Sequence, residues 1–382
     1  MLLNAEMERY LKEHQEELKQ IIRDLCAIPA PSHHEELRAE FCKTWFEENG
    51  FPEVEIDEAL NVICPVGVTE DNDVIVFMAH TDTVFPDLEP LPFREEDGKF
   101  FSPGVCDDTA NLAVLMLVAR WFVQKGFQPK QGIVFVANSC EEGLGNLKGS
   151  RAVCDRYGER MKELITLDGV TMDAFVNQAV GSHRYRVTVR TEGGHSFGKF
   201  GNRNAIRCMA SLIDSLYSVK VPEENGSKTT YNVGIISGGT SVNTIAQECE
   251  MLYEYRSDNK NCLAAMEKMF SAMVEAYRAT GIEVEVERIG DRPCAGELDP
   301  VRYDALMNRA AESLRDVLGL EAKYRSGSTD CNIPLSRGIP AVCIGVCRGA
   351  GCHTREEWLD VASLYDGCRF FMDFLAKYFI MK

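Results

Sequence analysis

The sequence predicts an α/β protein: a mostly parallel sheet flanked by helices, interrupted by an inserted α+β domain. Two observations carry this expectation. Strand-length apolar runs in the first and last parts of the chain are nearly continuous, as in parallel strands covered on both faces. Between residues 181 and 295 the runs alternate instead, as strands with one wet face do. A length of 382 residues also exceeds one ordinary core and fits about two domains. The predicted division is 1–180 with 296–382 as one discontinuous domain and 181–295 as the insert.

Helical spacing of apolar residues covers 6–27 and 33–49, with Pro29 and Pro31 breaking the chain between them. Apolar strands follow at 61–66, 74–79, 132–137, 164–167 and 341–346. The run NLAVLMLVARWFVQKG is apolar on almost every side and ends at Gly126, so it predicts a buried crossover helix. Within the insert, strands are expected at 183–192, 229–237, 248–257 and 281–289, with helices at 202–219 and 261–280. This β-α-β-β-α-β order is ferredoxin-like.

The formal net charge of −18 argues against nucleic acid and anionic membrane as partners, because nothing would neutralise phosphates. No apolar run is long enough to span a bilayer. The first residues read as an acidic amphipathic helix and not as a signal peptide. The 15 cysteines are scattered without a CxxC pair, which fits reduced thiols and a cytoplasmic location.

Five residues of metal-ligating type stand at or just beyond strand ends or in a turn before the buried helix: His80, Asp107, Glu142, Asp168 and His353. In an open α/β sheet such positions share one rim, where ligands collect. Imidazole and carboxylate are ligands that zinc accepts. Two ions in a hydrolytic clamp need one bridging carboxylate. Asp107 is assigned that place, with His80 and Asp168 on one ion and Glu142 and His353 on the other. Asp82 would accept the second imidazole proton of His80. Glu141, left beside a ligand, is the expected general base. Taken singly, an HxD or an EE pair is surface or core polarity; the argument rests on their coincidence. His14, His33 and His34 read as solvated and His183 as structural. Cys106, Cys140 and Cys352 each precede a site residue, and small buried packing is preferred to a catalytic thiol.

These residues carry a family resemblance over nearly the whole chain. His80-Thr81-Asp82-Thr83 resembles the HxDTV motif of the co-catalytic zinc hydrolases that include peptidase T, aminoacylase, glutamate carboxypeptidase and succinyl-diaminopimelate desuccinylase. The Gly104–Asp108 turn, the Glu141-Glu142 pair, Gly193-Gly194-His195-Ser196 and the loop Ser326 to Asn332 are similar to further motifs of that family. The resemblance implies a zinc exopeptidase-like fold with a lid and a homodimer formed through it. It implies that His195 reaches a partner subunit's site and binds the developing oxyanion. It implies that Arg256 and Asn243 grip a substrate carboxylate, with Ser328 in the substrate loop, and that the Asp107–Asp108 peptide is cis. Two positions depart from the pattern: Thr109 stands where Lys is common and Ser328 where Gly is usual.

The expectation is a cytoplasmic di-zinc metallopeptidase, with cobalt or manganese as possible substitutes for zinc, that cleaves short peptides as an aminopeptidase or tripeptidase. Asp168 supports that polarity, since in the family it resembles Asp at this position goes with aminopeptidases and Glu with deacylases and carboxypeptidases. The alternatives are an N-acyl-amino-acid deacylase or carboxypeptidase, and a metal-binding scaffold without catalysis.

Overall fold

The computed structural model describes residues 1–381. The chain forms two compact units, Met1–Ala179 with Gly296–Lys382, and Val180–Ala295.

The first unit is built on an eight-stranded sheet. Its order is Glu55–Ile56, Val62–Val66, Gly132–Asn138, Val74–His80, Met161–Leu167, Ala341–Ile344, Ala174–Ala179, Lys323–Gly327. Val74–His80 lies parallel to both Gly132–Asn138 and Met161–Leu167, and Ala341–Ile344 continues the parallel set. Val74–His80 and Gly132–Asn138 are buried at every residue, which is why they read as unbroken apolar runs. Register pairs His80 with Asn138 and Leu167 with Ile344, so four adjacent strands end on one rim.

The strand expected at 61–66 differs from a central parallel one. Val62–Val66 runs antiparallel to Gly132–Asn138. Its outer neighbour Glu55–Ile56 reaches only Val62 and Ile63, so Pro65 has a strand on one side alone, where its missing N–H is tolerated. Ala174–Ala179 and Lys323–Gly327 were not anticipated. The latter is an exposed edge with no apolar run to announce it. A small sheet of Arg94–Glu96, Lys99–Phe101, Trp358–Asp360 and Gly349–Ala350 was also unforeseen; its strands are too short to show a period.

The crossover helix Ala110–Gln124 is buried continuously from Ala110 to Phe122, and Gly126 then takes a left-handed φ of 68° that lets the chain turn away. The first predicted helix is two, Ala5–Glu13 and Gln15–Cys26. His14 interrupts it, its Nδ1 lying 2.8 Å from the Tyr10 carbonyl oxygen. The apolar stripe runs on through Leu11 and Leu18, so spacing conceals the break.

The second unit carries an antiparallel sheet ordered Thr229–Gly238, Glu248–Ser257, Gly181–Arg190, Glu283–Arg292. Helices Ala205–Tyr217 and Lys260–Ala279 cover one face. Met209, Leu212, Leu216, Met266 and Phe270 pack there against Val187, Val189, Met251 and Tyr253. Asn204 and Asn259 cap the two helices, each accepting two backbone N–H groups with its side chain. Arg186 and Arg190 bridge cross-strand to Glu250, Glu287, Glu248 and Glu285. This charged ladder is the wet half of the alternation seen in the sequence, and each such exposed pair contributes only about 0–1 kcal/mol.

Candidate active site

The rim of the first unit's sheet gathers the expected residues. His80 is the last residue of its strand and is 1% exposed. Asp168 follows Met161–Leu167 directly. Glu141 and Glu142 lie just beyond Gly132–Asn138, both buried. Asp107 sits in the Val105–Thr109 turn ahead of the crossover helix, at a kink where its own backbone is non-helical, with φ −121° and ψ 82°. That turn is entered through Gly104, with φ 77°; a Cβ there would lie 2.6 Å from Thr83 Cγ2, so any side chain would strain the backbone and force Thr83 to shift. The peptide between Asp107 and Asp108 is cis. His353 stands on an exposed loop with a left-handed φ of 63°, a conformation uncommon outside glycine that histidine tolerates better than most residues.

Asp107 lies between the two imidazoles. Its Oδ1 is 3.2 Å from His80 Nε2 and its Oδ2 is 3.2 Å from His353 Nε2. His353 Nε2 is also 3.2 Å from Glu142 Oε1. That oxygen is buried yet makes no hydrogen bond, so the pair approaches as two ligands of one centre do. Ligand-type atoms of His80, Asp107 and Glu142 fall within 4.8 Å of one another, as do those of His80, Glu141 and Asp168. The arrangement therefore has a His80–Asp168 side and a His353–Glu142 side with Asp107 between them.

The electrostatics call for positive charge in this gap. Contacts with Asp107 and Glu142 raise His353 to about 11. Burial works against charge at His80, yet Asp108, Asp107 and Asp82 hold it well above the ordinary imidazole value. Burial and the neighbouring Asp107 carboxylate push the Asp168 carboxyl well up. Carboxylates crowded in this way are stabilised by cations held among them.

Asp82 does more than the orientation of His80 expected of it. His80 Nδ1 is nearest the Asp82 backbone oxygen, at 3.0 Å, with the carboxylate at 3.4 Å. The carboxylate mainly holds the glutamate loop: Oδ1 accepts the Glu141 N–H and Oδ2 the Glu142 N–H, both at 2.9 Å. Ser32 Oγ donates to Oδ2 at 2.7 Å. The preceding amide, Cys140 N–H, donates to Glu35 Oε1 at 2.9 Å. Two buried carboxylates thus fix three successive amides of the segment that carries Glu141 and Glu142, the expected base and the expected ligand.

The sequence reading missed Ser32 and Glu35. His33 is exposed, as expected, and its ring also lies 3.3 Å from the Leu144 carbonyl oxygen through Nε2 and 3.4 Å from Cys140 Sγ through Nδ1. The only signal was polar residues clustered in PSHHE just before a helix. Asp108 was likewise unassigned; its Oδ2 accepts the His80 N–H at 2.9 Å and Asn111 Nδ2 donates to its Oδ1 at 2.7 Å. Ser328 follows the Lys323–Gly327 strand in a loop tied to the rim by Asn138 Nδ2, which donates to Asp330 Oδ2 at 2.6 Å. Cys106 and Cys140 are buried, and burial with the Glu35 charge pushes the Cys140 thiol up to about 12, which disfavours a nucleophilic thiolate.

The remaining expected residues belong to the second unit. His195 pairs with Thr244 in a two-residue ladder, and Ser196 N–H donates to the Asn243 carbonyl oxygen at 2.9 Å. Backbone N–H groups of Phe197 and Gly198 donate to His195 Nδ1, at 3.3 and 3.2 Å, so the ring proton sits on Nε2. The exposed Nε2–H is a ready donor. Asn243 Oδ1 accepts from Ser241 Oγ at 2.7 Å. Arg256 is not open-handed: its Nε and Nη2 fork onto the Glu254 carboxylate at 2.9 and 3.1 Å. Residues two apart on a strand share a face, so this pairing follows from the sequence spacing. His183 is buried, with Nδ1 2.8 Å from Tyr255 Oη.

Residues 76–377 match the family described as Peptidase family M20/M25/M40. The chain belongs to that family of peptidases. Among curated relatives, succinyl-diaminopimelate desuccinylase of Corynebacterium glutamicum is 25% identical over 360 residues, covering 92% of this chain and 94% of that protein. Among solved structures, a tripeptidase from Staphylococcus aureus superposes with a TM-score of 0.77 at 23% identity, covering 95% of this chain and 98% of the other. Aminopeptidase PepT from Bacillus cereus gives 0.70 at 23% identity with the same coverage. These structures bear on the fold, and they agree with an α/β sheet protein of this architecture. Among the described residues no helix is long and apolar enough to cross a membrane.

Proposed function

We propose that the protein is a two-metal aminopeptidase or tripeptidase that cleaves short free peptides after the first residue. The observation that carries this reading is the Asp107 carboxylate, one oxygen toward His80 and the other toward His353, with Glu141 anchored beside it.

The residues suit two divalent cations of the zinc, cobalt or manganese kind: all five donors are imidazole or carboxylate, and a buried Glu142 oxygen lacks a hydrogen bond. His80 and Asp168 would hold one ion, Glu142 and His353 the other, and Asp107 both. When bound, such a pair supplies Lewis acidity to the scissile carbonyl and to water at neutral pH. Glu141 takes the proton of the attacking water and returns it to the leaving amine. Asp82 and Glu35 keep that base in place by holding its backbone. His195 donates its Nε2–H to the developing oxyanion, served either by lid closure or from a second subunit. The 181–295 unit acts as lid and dimerisation surface, and the protein works in the cytoplasm. Arg256 exchanges Glu254 for the substrate's terminal carboxylate, assisted by Asn243, with Ser328 lining the approach.

The aminopeptidase polarity is supported by Asp168, whose side chain is one methylene shorter than Glu and leaves room for a free α-amine. A second reading is supported by the desuccinylase relatives: hydrolysis of N-acyl amino acids. Side-by-side assays of free tripeptides, their N-acetylated forms and N-succinyl and N-acetyl amino acids separate the two. Cleavage of the free peptide, abolished by N-acetylation, is the expected result. Faster hydrolysis of N-acyl amino acids than of any free peptide would transfer the assignment to the deacylase.

A further inference from the structure

A second cluster of ligand-type atoms stands apart from the five residues above. The two sulfurs of Cys106 and Cys352 and a carboxylate oxygen of Glu357 all lie within 4.8 Å of one another. Three atoms so spaced lie no farther than 4.8/√3, about 2.8 Å, from a common centre. Zinc bonds thiolate at about 2.3 Å and carboxylate oxygen at about 2.0–2.2 Å. Each donor is thus within a fraction of an ångström to about 0.8 Å of coordinating distance. Cys106 and Glu357 are fully buried, and Cys352 is partly exposed, so the cluster borders solvent on the Cys352 side.

The cluster is firmly built. Glu357 Oε2 accepts the Gly104 N–H at 2.8 Å. Its Oε1 accepts the Cys106 N–H at 2.8 Å, the Asp107 N–H at 3.0 Å and the Cys106 thiol at 3.1 Å. The thiol proton on Oε1 is the one a cation would replace. The short Trp358–Asp360 strand, paired with both Lys99–Phe101 and Gly349–Ala350, brings the Glu357 and Cys352 segments against the Cys106 turn. Gly349 is required there: a Cβ would lie 2.8 Å from Cys106 Sγ.

We propose that Cys106, Cys352 and Glu357 form a separate site for one thiophilic divalent cation. Soft thiolates distinguish it from the imidazole and carboxylate donors of the proposed catalytic pair. Its place in the chain gives it a task. Cys106 precedes Asp107 and Cys352 precedes His353, so an ion held here fastens the turn bearing one residue to the loop bearing the other. Binding releases the thiol protons and needs no oxidant.

The test is cobalt(II) titration of the full chain, stripped by chelator and kept reduced with a phosphine. Thiolate-bound cobalt gives a charge-transfer band in the near ultraviolet that nitrogen and oxygen ligands do not. The wild type should show it, zinc should bleach it, and Cys352→Ser should lower it to half or less. Cys140→Ser, a control near the other cluster, should leave it unchanged. In parallel, cadmium should protect the partly exposed Cys352 from alkylation, read peptide by peptide by mass spectrometry, and Glu142→Gln should leave that protection intact. No band, a band indifferent to Cys352→Ser, or recovery of Cys106 and Cys352 as a disulfide under these conditions would overturn the proposal. Since the readouts are spectral and chemical, they stand or fall separately from peptide hydrolysis.

Discussion

Asp82→Asn tests whether the glutamate loop is held from beneath. The wild-type carboxylate is fully buried and accepts three donors: the amides of Glu141 and Glu142 and the Ser32 hydroxyl. Asparagine keeps one acceptor oxygen. If that oxygen serves Glu142 and Ser32, the new NH2 group meets the Glu141 N–H donor to donor. One orphaned buried amide costs about 1–3 kcal/mol. Burial alone would favour a neutral group here, but contacts with His80, Ser32 and the loop amides hold the Asp82 carboxyl below its ordinary value. The charged form is therefore the one the site prefers, and neutralising it does not recover the loss. We expect a net destabilisation of about 1–3 kcal/mol. Turnover should fall about 10–100-fold, as for other groups that orient metal ligands. The sign with pH follows from the lowered value. The wild type's advantage should be complete above the unfolded carboxyl value of about 3.9 and shrink as the pH falls through the lower folded one. Denaturant unfolding at several pH values, metal content and turnover, measured on both proteins, check this. An Asn variant with wild-type unfolding and turnover would show that Asp82 does not position the loop.

Glu141→Gln should keep fold and metal content while turnover falls about 10²–10⁴-fold; lost metal instead would mean that base and ligand are exchanged between Glu141 and Glu142. Chelation should abolish activity, and zinc, cobalt or manganese should restore it, with two ions per chain needed for activity. A protein fully active with a single ion at the histidine–carboxylate cluster would remove Asp107 as a bridge. His195→Ala should lower turnover about 10²–10³-fold with little effect on metal. Mixing inactive His195→Ala chains with inactive Glu141→Gln chains should restore part of the activity if the histidine serves a partner subunit; no recovery would confine it to its own chain.

The central parallel strands and the identity of the gathered residues were legible in the sequence, because both depend on short-range pattern. A fully buried strand needs an unbroken apolar run, as in Val74–His80, and residues that end parallel strands must share a rim whatever the details of packing. The alternation of the second unit was legible for the same reason: one face meets Met209 and Phe270 and the other carries the Arg186 and Arg190 ladders. The edges of the sheet were not legible. Lys323–Gly327 buries little and so leaves no periodic mark, and Pro65 is allowed only because the neighbouring strand stops short. Tertiary structure alone decided who holds whom. Glu35 lies 105 residues from the Cys140 amide it accepts, and Glu357 lies 250 residues from the Asp107 amide. A buried carboxylate is tolerated only where donors converge on it, and that convergence is set by how loops from distant strands pack, which no local spacing encodes.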